Sequence, residues 1–327
     1  MAIFQDLGSS PATLEAAKAC DCYGLLPGHT TQQADAVQAY TQSTLRGTPT
    51  WIRLPRDRWP ASWQGMHAPV CPLRLALYGH PDSGGFWEQV CDSHLTTPEN
   101  QPSKLIAATK KQVMGCGFVP MAEEWPSCYW HPKLRLFLVV YVDDFKLSGP
   151  TVNMDRGWEL IRGGIDVEDP HPLDVYLGCA HRFWETKHDG KVIRGLTYDM
   201  ESFLRSSVDA YVSKAKALGY NVALKYAPTP YIDPLPSNGA GGSAVLQPCA
   251  ASILMKLLYA ARLARPDLIR AVCFLARECT KWTAECDRAL HRLMCYVHSS
   301  YALRLEGWVG DAQHCSFHVY ADADFAG

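Results

Sequence analysis

The stretch LFLVVYVDDFKLSG, residues 136–149, sets two adjacent aspartates inside an otherwise apolar run. Residues 136–142 predict a buried strand, since a run this short cannot span a bilayer. Asp143 and Asp144 end it, although two like charges repel each other and resist desolvation. Two readings account for them. In one, the pair is a turn, Asp being common in hairpin loops, and residues 145–147 are the returning strand. In the other, the pair is a carboxylate platform on a stiff hairpin, neutralised by a divalent cation. Two-residue hairpin loops usually need Gly or Asn at positive φ, and this loop offers neither.

Working outward, the chain of 327 residues is long enough for two or three domains around a substantial core. Its formal net charge of -2 announces no global affinity for nucleic acid, so any such surface is local. The first twenty residues lack a basic segment followed by an apolar one, which argues against a signal peptide, and no window predicts a transmembrane helix. Thirteen cysteines without framework spacing imply free thiols in an intracellular, reducing compartment. Cys20 and Cys22 are too close and too isolated for structural zinc, while His291 and Cys295 share a helical face and suit core packing.

Helices are expected over residues 11–20 and 35–45, and again from about Gly85. Strands are expected over 50–55, 115–119 and 127–131, with the hairpin at 134–148. Helices mixed with antiparallel strands predict an α+β fold. Residues 227–248 concentrate Pro, Gly and Ser and read as a linker. Three helical stretches follow, over 249–264, 266–282 and 283–299, with Pro266 in a first turn and Thr283 as a cap. Basic residues outnumber acidic ones around this linker, from Arg182 to Lys225 and from Arg262 to Arg292, Arg265 among them. They suit either solvated helix faces or a surface that tracks phosphates.

Tyr141-Val142-Asp143-Asp144 resembles the YxDD motif of reverse transcriptases, and its neighbours extend the likeness. DAVQAY, from Asp35 to Tyr40, resembles the DVxxAF polymerase motif of copia-type retrotransposons. ALYGHPDSGGFW, from Ala76 to Trp87, is similar to their ALYGLKQAPRAW. VYLGC from Val175 resembles a YLG turn, and ARPDLIRAVCFLAR from Ala264 resembles an RPDI-containing helix. VYADADFAG at the end resembles the DADWAG opening of the family's ribonuclease H domain. The matches fall in family order along most of the chain, and on them it is identified as a copia-type Pol polyprotein fragment.

The resemblance implies a right-hand polymerase fold with an antiparallel palm sheet and a helical connection. Residues 1–175 would be partial fingers and palm, 176–227 a thumb-like segment, 228–248 a linker, 249–310 the connection, and 316–327 the start of ribonuclease H. It implies an RNA-directed DNA polymerase that uses an RNA or DNA template, a primer, deoxynucleoside triphosphates and two Mg²⁺ ions, with Mn²⁺ as a substitute. Asp35 and Asp143 would bridge the ions and Asp144 would support them. Tyr40 would lie under the sugar, the backbone of Val37, Gln38 and Ala39 would meet phosphates, and Tyr141 would flank the substrate.

Three departures temper the likeness. The Lys-Gln of the ALYGLKQAPRAW pattern is replaced by Pro81-Asp82. Residues 1–34 hold Lys18 and no Arg where the family has a basic fingers strand. Asp322 has none of its nuclease partners. These favour an alternative, a degenerate fragment that keeps the fold and nucleic-acid binding without turnover. A further alternative, an unrelated phosphohydrolase built on paired aspartates, leaves the ordered series unexplained.

Overall fold

Leu136–Tyr141 and Asp144–Pro150 form the hairpin at the centre of a six-stranded sheet. The computed structural model describes residues 8–105, 107–231 and 244–310. They divide into two compact units between Leu173 and Asp174. Both mix helices with antiparallel strands, with seven α-helices among the described residues.

In the first unit, α1 (Leu14–Gly24) leads into β1 (His29–Asp35) and then a small ribbon of β2 (Trp51–Ile52) and β3 (Cys71–Pro72). Next come α2 (Ser83–Thr96), β4 (Val119–Ala122), β5 (Trp125–His131), β6 (Leu136–Tyr141) and β7 (Asp144–Pro150). The unit closes with α3 (Met154–Gly164) and β8 (His171–Pro172). The main sheet runs β4-β5-β6-β7-β1-β8, each neighbouring pair antiparallel.

The central strands are covered on both faces, which is why β6 reads as an unbroken apolar run. Ala34, Leu138, Val140, Phe145 and Leu147 join Trp87 and Trp158 in one core. Helix α3 approaches closely because Gly157 has no side chain: a Cβ there would lie 2.4 Å from Leu136 Cδ1. The other face lies under α1 and buries polar residues, Thr31, Gln33, Lys146 and Ser148. Lys146 Nζ reaches Asp21 Oδ1 of α1 at 2.8 Å, both side chains 1% exposed. Breaking such a pair strands a charge in the interior, although its net contribution to stability is small. Gly24 permits the approach of α1, since a Cβ there would meet Thr31 Oγ1 at 1.9 Å.

The helix expected over residues 35–45 does not form. Strand β1 ends at Asp35 and a single 3-10 turn, Ala39–Gln42, follows. HTTQQAD lacks strand-like apolar alternation, but its place between β7 and β8 overrides local preference. Helix α1 starts at Thr13, whose hydroxyl accepts from the Ala16 amide.

In the second unit, β9 (Val175–Tyr176), β10 (Cys179–His188), β11 (Lys191–Asp199) and β12 (Leu305–Val309) form a sheet ordered β12-β11-β10-β9. It is accompanied by α4 (Glu201–Ala217), α5 (Gln247–Leu263), α6 (Ile269–Arg277) and α7 (Ala284–Ser299). The segments 176–227 and 249–310 therefore share one unit: β12 pairs with β11, and α4 packs on α5 and α7. The division falls before Val175 because Val175 and Tyr176 pair with β10. Thr283 caps α7, accepting from Cys286 N, and Pro266 opens a 3-10 turn ahead of α6.

Arg265 cannot belong to a phosphate-tracking surface. It is 1% exposed, its guanidinium binds both oxygens of Asp267, and it also donates to the carbonyl and hydroxyl of Ser300. His291 meets Tyr211 Oη through Nδ1 at 2.8 Å and Ala223 O through Nε2 at 3.2 Å, a packing role. Helix α5 begins at Gln247, inside the expected linker. Residues 232–243 of that linker, and the ribonuclease H-like end with Asp322, lie outside the described residues. No helix among the described residues is long and apolar enough to cross a membrane.

A carboxylate cluster at the hairpin tip as candidate active site

Asp35 and Asp144, more than a hundred residues apart in the chain, are direct cross-strand partners. The Ala36 amide donates to the Asp143 carbonyl at 2.7 Å. That bond makes Asp35 and Asp144 a non-hydrogen-bonded pair, the class with Cα atoms about 4.5 Å apart and the closest side chains. Tyr141 is the partner of Asp144 on β6, so Tyr141, Asp144 and Asp35 form one row on one sheet face. Asp143 sits beside them in the turn, which brings all three expected carboxylates to the hairpin tip.

Surrounding bonds fix this backbone. The Asp35 carbonyl accepts from Glu168 N, and Val37 N donates to Asp166 O, both at 2.9 Å. Gln42 clamps the same corner, its Nε2 donating to Val37 O and Asp166 O and its Oε1 accepting from Asp166 N.

The turn consists of Val142 and Asp143, and Val142 adopts a φ of 58°. A β-branched residue in the left-handed region is strained, which is the conformational demand the sequence could not meet with Gly or Asn. The Val142 carbonyl accepts from Trp87 Nε1 at 2.6 Å, and Trp87 is 2% exposed in the core. A buried indole thus holds the strained carbonyl in place.

Charge is concentrated here. Burial, then the negative charges of Asp35 and Asp143, push the Asp144 carboxyl up from 3.8 to about 7, against the opposing effect of Lys146. Lys146 follows Asp144 on the same face and is tied to Asp21, so it is no free counter-charge. Burial, followed by the charge of Asp143, also raises the Tyr40 phenol. Tyr78 is raised by burial, then by Asp143 and Tyr40. The two tyrosine rings lie 4.4 Å apart, tilted by 46°.

The loop after Asp35 differs in part from its expected role. The Val37 amide is engaged with Asp166 and is not available to a phosphate. Gln38, in the left-handed region at φ 49°, starts the 3-10 turn that carries Ala39 and Tyr40. Among the described residues, the amides of Gln38, Ala39 and Tyr40 have no acceptor. Asp82 is 3% exposed and makes no capping bond at the start of α2.

Among the described residues, no three His, Cys, Asp or Glu side chains converge as a finished metal cage. What fits a hard dication is the donor chemistry: three carboxylate-bearing residues at one tip, with the Asp144 carboxyl raised by burial and then by its two acidic neighbours. Asp35 is exposed, so its side chain is free to rotate toward an ion. Sequence reasoning gave no role to Gln42, Tyr78, Trp87 or Asp166. Tyr78 and Trp87 lie within the ALYG-to-Trp stretch, but their contacts with Tyr40 and Val142 are tertiary. Comparison of the chain with protein-family models, curated proteins and solved structures finds no match.

Proposed function

We propose that the first unit carries out nucleotidyl transfer, as the palm of a right-hand, RNA-directed DNA polymerase of the copia-type retrotransposon class. The observation that carries the reading is the pairing of Asp35 with Asp144 beside Asp143 at one hairpin tip. A chance likeness to YxDD and DAVQAY would not require these distant segments to be neighbours.

In this reading Asp35 and Asp143 hold a pair of divalent ions and Asp144 supports them. When bound, Mg²⁺, or Mn²⁺ as a substitute, supplies activation of a primer 3′-hydroxyl and neutralisation of the leaving pyrophosphate. The charge of such ions would favour the ionised form of the Asp144 carboxyl. The Tyr40 ring, backed by Tyr78, lies under the incoming sugar and excludes a 2′-hydroxyl. The free amides of Gln38 and Ala39 donate to phosphate oxygens, and Tyr141 flanks the primer end.

The test is primer extension on an RNA template with deoxynucleotides. The expected product is slow, because Lys18 is the sole Lys or Arg before Asp35 to grip a triphosphate. It requires Mg²⁺ or Mn²⁺ and disappears in Asp143→Asn. Extension unchanged by that substitution, or none at any metal concentration, overturns the reading. A second reading, nucleic-acid binding without turnover, is favoured by the unconverged side chains and the buried Asp82. Template binding with no extension under any of these conditions would select it.

A further inference from the structure

Residues 44–75 leave the main body of the first unit just after Tyr40 and return just before Tyr78, and none of them is buried. Their two legs run antiparallel: Thr44 bridges Leu75, Leu45 N donates to Arg74 O, and Trp51 and Ile52 pair with Pro72 and Cys71. The tip carries two 3-10 turns, Arg56–Arg58 and Ala61–Trp63. A two-stranded ribbon without a core is marginal in water, and one that exposes large side chains is suited to a partner.

Its chemistry narrows the partner. The segment holds Arg46, Arg53, Arg56, Arg58 and Arg74 against Asp57, with no Lys and no Glu. Arg53 and Arg74 make no ion pair among the described residues, and Arg58 meets only its neighbour Asp57, with both side chains open to solvent. Between the arginines stand Trp51, 58% exposed, and the half-buried Trp59 and Trp63, whose rings meet edge-to-face at 6.3 Å. Arg56 lies over the Trp59 ring at 5.6 Å. A second copy of the chain is a poor occupant, because two such cationic ribbons repel. A lipid surface would select an amphipathic helix, and the ribbon has none. Arginine forks with interleaved indoles match phosphates alternating with bases.

We infer that the ribbon of residues 44–75 is a binding site for single-stranded nucleic acid, with Arg53, Arg56 and Arg58 on phosphates and Trp59 and Trp63 stacking on bases. Its legs join the segments bearing Tyr40 and Tyr78, so a strand held there leads toward the carboxylates. Binding needs neither metal nor turnover, and so stands or falls apart from nucleotidyl transfer.

The experiment is fluorescence anisotropy of a labelled twelve-residue oligothymidylate, roughly the span of one single-strand site, with the full chain in chelator. The triple variant Arg53→Gln, Arg56→Gln, Arg58→Gln should bind at least about tenfold more weakly, with a log affinity–log salt slope shallower by about 2. Trp59→Ala and Trp63→Ala should each weaken binding at least about fivefold without changing that slope, and Trp59→Phe should restore it. Circular dichroism melts should change little, since no side chain of the ribbon is fully buried. Because the assay runs in chelator, where no metal-dependent extension can occur, failure here is separate from failure of the polymerase reading. Unchanged binding in the triple variant overturns the inference. So do tryptophan variants that bind like the parent, and so does binding to phosphatidylserine vesicles in place of the oligonucleotide.

Discussion

Replacing Asp144 with Asn probes the repulsion at the hairpin tip directly. Raising the carboxyl from 3.8 to about 7 corresponds to at most about 4 kcal/mol between its protonated and ionised forms. Asp144 keeps partial access to water, and solvent screening brings the expected effect to about 1–2 kcal/mol. Between pH 4 and 7 the folded chain holds a proton that the unfolded chain has released, so this group's contribution to stability declines as pH rises through that window. Asparagine keeps the shape and removes the charge. In metal-free urea titrations, Asp144→Asn should therefore match the parent near pH 4 and exceed it by about 1–2 kcal/mol at pH 8. Comparing the two proteins cancels the titration of His94 and His131, which is common to both. Adding Mg²⁺ at pH 8 should stabilise the parent and close the gap, because an ion that binds only the folded chain adds to its stability. A variant less stable than the parent at pH 8, or a gap independent of pH, would refute the crowding of three carboxylates.

Val142→Gly should stabilise the chain by about 1 kcal/mol, because glycine accepts positive φ freely; a loss of stability in thermal melts would remove the strain from this turn. Trp87→Phe leaves the Val142 carbonyl without its donor and should cost about 1–3 kcal/mol, and a larger fraction of any extension activity; denaturant midpoints unchanged from the parent would count against the clamp. Lys146→Met should cost about 3–5 kcal/mol by removing the buried cation beside Asp21, and the further change Asp21→Leu should recover most of it; additive losses in the double variant would contradict the pairing.

The hairpin was legible because its signal is local: an apolar run, two aspartates and a returning strand. The last three helical stretches were legible for the same reason, with Thr283 at a cap, although the middle one opens with a 3-10 turn at Pro266 and its α-helix stops at Arg277, short of the expected 282. Strand β1 was not, because Thr, Gln and His acquire their strand character from β7 and β8 on either side. The polar band beneath α1 was hidden too, since the Asp21–Lys146 pair joins residues far apart in sequence. At the site, the paired charges pointed to Asp143 and Asp144, and the likeness of DAVQAY to a polymerase motif pointed to Asp35. They did not reveal that the Val37 amide is occupied by Asp166, or that Gln42 and Trp87 brace the two turns. Those roles depend on which groups meet in space.

Anomalous diffraction from crystals soaked in Mn²⁺ tests the carboxylate site most directly. Two peaks about 3.5–4 Å apart are expected, bridged by Asp35 and Asp143 with Asp144 alongside, and both should be lost in Asp143→Asn. Manganese bound elsewhere on the protein, with none within coordination distance of the three carboxylates, would contradict it.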